Sequence, residues 1–329
     1  MIHVYFLILP NSLIMDWAGP AEALRIANSN LQNQGQEPVF ALHFVGPNAQ
    51  VPSSVGASIA NLEELPDLQS LVALGEAHWL VVVGQPGNAL DLQTPVMRNA
   101  LHWLRGLRLA TGHLELMCVC AGAVIAAQAG LLAGRRVTTH HQHLNELQQT
   151  DPHCLVQSNR VFVDDGPVYS SAGISTGIDL FLYRIAGICG PAVAAYVAQT
   201  MVLPQRRGPN DPELSPFLQH RQHLHPALHR VQDAISQSPR NNWSLATMAD
   251  IACTSPRHLC RLFEQHAGIA PRHYVRQIRL AVAQSALRSG MNVTQAADAA
   301  GFASDTQLRR AWHDAQLQGT PSRLGSGLA

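Results

Sequence analysis

The run Leu116-Met117-Cys118-Val119-Cys120-Ala121-Gly122-Ala123 has the residue types of a nucleophile elbow. A strand that turns straight into a helix leaves little room two positions either side of the nucleophile, and Cys118 and Gly122 supply small residues around Cys120. The helix start would aim the positive end of its dipole at the Cys120 sulfur, the setting of a reactive thiol. The plainer alternative is a cysteine serving as a small apolar residue at a strand end. Cys118 and Cys120 with His140, His141 and His143 also have the donor types of a transition-metal site. A Cys-x-Cys at an elbow does not easily aim both sulfurs at one ion, so no metal is assigned. Trp17, Trp79 and Trp103 offer ring faces to a cationic ligand, the alternative being that each simply packs in the core or on the surface.

A second set of chemistry-bearing residues lies in the last third. Leu245 to Ala252 and Val293 to Ala300 each read as a short Ala-containing helix leading through a tight turn. After each turn comes a serine suited to an N-cap, Ser255 or Ser304, and a helix with arginines on its outer face. This is the helix-turn-helix plan, whose second helix enters the DNA major groove. The two serines are 49 positions apart. Between the units, Pro271 to about Ser289 reads as one helix of roughly 28 Å, comparable to the ~34 Å of a DNA turn.

Those sites need elements to hold them. The 329 residues suit two domains, and 47% apolar with 13% charged residues describe a globular chain, excluding fibrous and low-complexity classes. The net charge of zero, taken alone, argues against nucleic acid, but it hides a split. Residues 1–203 carry eight arginines against fourteen carboxylates, residues 221–329 twelve against six, and there is no lysine. The basic part is the part with the helix-turn-helix pattern.

Up to residue 203, short runs at Val4–Leu9, Val39–Val45, Trp79–Val83, Leu114–Val119, Val137–Thr139, Val161–Val163 and Val168–Ser171 read as strands. Helical spacing over Gly19–Asn28, Val96–Leu104, Ala121–Leu132, Ser175–Ile188 and Pro191–Met201 alternates with them. The alternation predicts a doubly wound parallel α/β sheet of flavodoxin-like type, with ligands at the carboxyl ends of its strands. Turn formers from Leu203 to Pro212 mark a linker, set at 204–224 between a 1–203 domain and an all-helical 225–329 domain. Leu116–Gly134 is long enough to suggest a membrane span but suits a buried strand and helix better. Six scattered cysteines and an N-terminus without signal-peptide character predict a cytoplasmic chain with reduced thiols.

Ala249 through Phe263, Gly268-Ile269-Ala270-Pro271, Tyr274, Arg279-Leu280, Ala297-x-x-x-Gly301-Phe302 and Leu308-x-Arg310 resemble the AraC/XylS family of transcription regulators over about 240–323. The sequence departs from that pattern after Trp312, where Leu317 and Thr320 stand in place of the family's Gly and Pro. Carried over by position, the DNA-contacting residues are Arg257, Cys260 and Arg261 in the first unit and Asp305, Thr306, Arg309 and Arg310 in the second. Asp16-Trp17-Ala18-Gly19-Pro20, Cys120-Ala121-Gly122, Gly130 through His140 and Ser171 through Asp179 look like the ThiJ/PfpI superfamily, related to glutamine amidotransferases. The fusion is similar to the GlxA group of regulators.

The resemblance implies an α/β sensor without required catalysis, with a ligand-pocket cluster of Asp16, Trp17, Cys120, Ala121 and His140. Ala121 stands where some members have a His after the Cys. It implies operator DNA and a small effector such as an amino acid or other nitrogenous compound as partners. A homodimer follows from it too, with RNA polymerase open as a partner, and no membrane, metal or cofactor. The alternative reading is a cysteine-dependent hydrolase or hydratase, or a thiol redox sensor, acting through Cys120.

Overall fold

A computed structural model of the chain describes residues 1–68, 71, 76–87, 93–203, 207–209, 216–221, 223–315, 317 and 319–322. It has two compact units, Met1–Glu213 and Leu214–Ala329. The division falls inside the 204–224 segment read as a linker, much of which lies outside the described residues.

The first unit runs β1 (Ile2–Leu7), α1 (Ile14–Asn33), β2 (Phe40–Val45), β3 (Gln50–Pro52), β4 (Ser58–Ala60), β5 (Ala77–Val82), α2 (Pro95–Arg105), β6 (Leu114–Val119) and α3 (Gly122–Gln128). It continues through β7 (Arg136–Val137), α4 (Leu144–Thr150), β8 (Leu155–Val156), β9 (Phe162–Asp165), β10 (Val168–Ser171), α5 (Ser175–Cys189) and α6 (Pro191–Thr200). Six strands form one sheet in the order β2-β1-β5-β6-β10-β9. All neighbours are parallel except β9, which is antiparallel to β10. This is the doubly wound parallel sheet expected, with one antiparallel edge strand, since the two-residue turn Gly166-Pro167 is too short for a parallel crossover.

Alternate side chains of each strand enter opposite cores. Val4, Phe6, Trp79, Val81 and Val119 pack under α1, α5 and α6. Leu7, Leu80, Val82, Leu116 and Cys118 pack under α2 and α3. With both faces covered, all six residues of β6 are buried, so it shows no apolar-polar alternation, and its one charged residue, Glu115, is paired with Arg184. The Leu116–Gly134 stretch divides into β6 and α3, and among the described residues no helix is long and apolar enough to cross a membrane.

The second unit is helical: α7 (Pro216–Gln219), α8 (Pro226–Gln237), α9 (Leu245–Ile251), α10 (Pro256–Leu262) with a π-helical turn over Phe263–Ala267, α11 (Pro271–Arg288), α12 (Val293–Ala300) and α13 (Asp305–Asp314). It has two small cores. Tyr274, Val275 and Ile278 of α11 complete one with α8, α9 and α10. Leu280, Ala283 and Leu287 of the same helix complete the other with α12 and α13. At 18 residues α11 spans about 27 Å. The divergent end is packed: Leu317 lies on the second core with its N–H on the Trp312 carbonyl, and Arg309 donates to Ser322 at 2.9 Å.

Candidate functional site

Cys120 stands between β6 and α3 with φ +57°, the strained turn an elbow requires. Gly122 is needed there, because a Cβ on it would lie 2.0 Å from the Val82 carbonyl oxygen. The Cys120 N–H donates to the Ser171 carbonyl and Thr139 Oγ1 donates to the Cys120 carbonyl, so both backbone groups are engaged. Across from the sulfur is Asp16, fully buried in the first turn of α1. Its carboxylate accepts the Cys120 thiol, the Gly84 N–H at 3.2 Å and the Ile174 N–H at 2.7 Å. Burial nevertheless dominates these hydrogen bonds and raises the Asp16 pKa to about 6.

The walls are built close. A Cβ on Gly173, itself at φ +97°, would sit 2.7 Å from Cys120 Sγ, and one on Gly84 would sit 3.0 Å from Asp16 Oδ2. Ile174 follows at φ +52° and ψ −113°, unusual for a β-branched residue, and that conformation aims its N–H at Asp16. Ala121 is buried beneath the elbow. Only 4% of Cys120 is exposed; Cys253, in the turn between α9 and α10, is the exposed cysteine.

His140 is half-buried one residue beyond Thr139, and its Nδ1 accepts the Gln142 N–H. Burial, then His141 and His143, lower its pKa to about 4, so the ring is neutral at pH 7. Its ring lies 4.1 Å from that of His141. Trp17 is half-buried edge-on to Phe44 at 5.6 Å. The three tryptophans do not form a cage: Trp79 is a core residue with Arg184 at 5.0 Å, and Trp103 packs on the opposite core with Nε1 donating to the Pro66 carbonyl. Cys118 and Cys120 belong to cores on opposite faces of the sheet, so the two sulfurs diverge.

In the second unit both helix-turn-helix pairs form. Ser255 caps α10 by accepting the His258 N–H, and Ser304 caps α13 by accepting the Gln307 N–H. Leu259 and Leu308 point inward, which turns Arg257 and Arg261, and Thr306, Arg309 and Arg310, to the outside. Cys260 and Asp305 are half-buried, and Asp305 accepts the Thr294 hydroxyl. Gly301 closes α12 at φ +79° in a place where a Cβ would meet Arg240 Cα at 2.6 Å.

A DJ-1/PfpI family model matches residues 3–186, more than half of the chain. The chain belongs to the DJ-1/PfpI family. A helix-turn-helix domain model matches residues 248–324 behind it. The HTH-type transcriptional regulator CdhR of Pseudomonas aeruginosa is 28% identical over 97% of this chain and 90% of its own length. The HTH-type transcriptional regulator GlxA of Rhizobium meliloti is 29% identical over 94% and 91%. A crystal structure of an AraC family transcriptional regulator from Pseudomonas putida matches at TM-score 0.50 and 20% identity, covering 61% of this chain and all of its own, which shows a shared fold. The chain is thus an AraC-type DNA-binding regulator of the GlxA kind, with a DJ-1/PfpI unit in front.

Sequence reasoning found the acid and the thiol of the DJ-1/PfpI unit but missed Gly84, Thr139 and Ile174, which contribute backbone N–H groups or a hydroxyl to the same place. The Ser171-Ala172-Gly173-Ile174 run was a usable signal, since a small-residue turn after a strand permits such an approach.

Proposed function

We propose that this regulator is ligand-responsive: the DJ-1/PfpI unit binds a small nitrogenous metabolite, such as an amino acid, beside Asp16 and Cys120, and the second unit binds operator DNA in two successive major grooves. The reading has the protein cytoplasmic and homodimeric, with RNA polymerase as a further partner. The observation that carries the DNA half is the pair of capped recognition helices set on the two halves of one 27 Å helix, with arginines on their exposed faces. Arg257, Arg261, Arg309 and Arg310 have the forked donors that read guanine, and Thr306 and Cys260 stand beside them.

Selecting duplexes from a random library with the full chain tests this. Arg261→Ala and Arg310→Ala are expected to cost ~1–3 kcal/mol each on the selected duplex and less on a scrambled one. Absence of any selected sequence would overturn the reading. For the sensor half, thermal shifts with amino acids and quaternary amines are the check. Asp16→Ala is expected to remove the shift and Cys120→Ser to retain it.

A second reading is favoured by one observation, the hydrogen bond from the Cys120 thiol to a carboxyl with a raised pKa. It makes Cys120 a thiol that does chemistry or senses oxidation. Loss of the regulatory response in Cys120→Ser, with DNA binding normal, would select it.

A further inference from the structure

Between the two helix-turn-helix units lies a groove of about 630 Å³ lined by Trp243, Arg272, Arg276, Arg279 and Arg310. Four guanidinium groups there face one carboxylate, Asp314. Arg279 is committed to structure, donating at 2.9 Å to the carbonyls of both Pro239 and Asn241. Arg276 pairs with Asp314 at 3.2 Å, which orients it and leaves further N–H groups. Among the described residues Arg272 and Arg310 have no carboxylate partner. Arg310 is exposed on recognition helix α13 and also lines the groove, so the groove opens on the side that α13 presents to DNA.

We propose that this groove seats a sugar-phosphate strand of the DNA, with Arg272 and Arg276 gripping its phosphates; the proposal rests on the DNA-binding reading above. On one face of B-DNA, successive major grooves are separated by the minor groove and the two strands that border it. A protein that enters both major grooves must present a surface to those strands. Here α11 spans that interval, and its first half carries Arg272 and Arg276 at i and i+4, on one face of the helix. Arginine matches a phosphate with two parallel N–H donors, and contacts to the backbone fix register without reading sequence. The strand would also explain why four arginines persist around one carboxylate in a folded unit, since repulsion among them is relieved on binding.

The test measures affinity of the full chain for a selected duplex and a scrambled one over a range of salt. Arg272→Ala and Arg276→Gln are each expected to weaken both duplexes by the same factor and to reduce the slope of log affinity against log salt by ~1. Asp314→Asn removes the opposing carboxylate and is expected to strengthen binding to both duplexes, a gain that a misfolded variant does not give. Unchanged slopes in the two arginine variants, a loss confined to the selected duplex, or weaker binding by Asp314→Asn would each overturn the proposal. A wild-type chain that binds neither duplex overturns the DNA-binding reading along with it.

Discussion

Asp16 is a carboxyl whose burial outweighs three hydrogen bonds. Its consequence for stability has a definite sign. Between the usual carboxylate range and about pH 6 the folded chain holds a proton that the unfolded chain has lost, so stability falls as pH rises through that window. Wild type is expected to lose about 3 kcal/mol relative to Asp16→Asn between about pH 4 and about pH 7. Urea denaturation of both proteins at intervals across that range checks it, and a difference independent of pH would show that Asp16 titrates normally. The thiol was legible from the small residues around it, and the acid from the resemblance of Asp16-Trp17-Ala18-Gly19-Pro20 to the ThiJ/PfpI superfamily. The donors from Gly84 and Ile174 were not, because a backbone N–H belongs to every residue type except proline.

Helices with a serine at the cap and an arginine face were read correctly, since the cap is a local hydrogen bond that local sequence specifies. Ser304→Ala is expected to destabilise α13 by ~1 kcal/mol and to lower affinity for a selected duplex without altering the first unit's core; chemical denaturation and a binding titration would measure the two effects. Less local features were harder. Helix α1 begins at Ile14 rather than Gly19, because Gly19 and Pro20 read as a break while in the fold they bring α1 close to α5. A Cβ on Gly19 would meet Ile178 at 2.9 Å. The strands β3, β4 and β8 are two or three residues long, too short to show alternation, while the strand read at Val137–Thr139 forms as β7 at Arg136–Val137.

At the scale of the whole chain, the acidic first part and the arginine-rich second part were plain from counting, whereas the end of the first unit was not. The DJ-1/PfpI unit extends past residue 203 because Arg207 returns to it. Its backbone N–H and Nε bond the buried Asp179 carboxylate, and Nη2 bonds Ser175 at the start of α5. A buried carboxylate left without its cation is costly, typically about 3–5 kcal/mol. Arg207→Ala is therefore expected to lower the stability of the first unit and to speed proteolysis between the two units, read by the rate at which two fragments appear on a gel. Equal cleavage rates in wild type and variant would show that the tie does not hold the chain.

The backbone at Ile174 bears on the proposed response to a ligand. A β-branched residue at φ +52° and ψ −113° stores on the order of 1–3 kcal/mol. That is the size of the coupling free energy through which one site changes the affinity of another. The hydrogen bond from Ile174 to Asp16 holds the peptide in place, and a turn of that peptide would surrender the bond while releasing the strain. Ser175, the next residue, accepts a hydrogen bond from Arg207, so the strained turn and the end of the first unit are one residue apart.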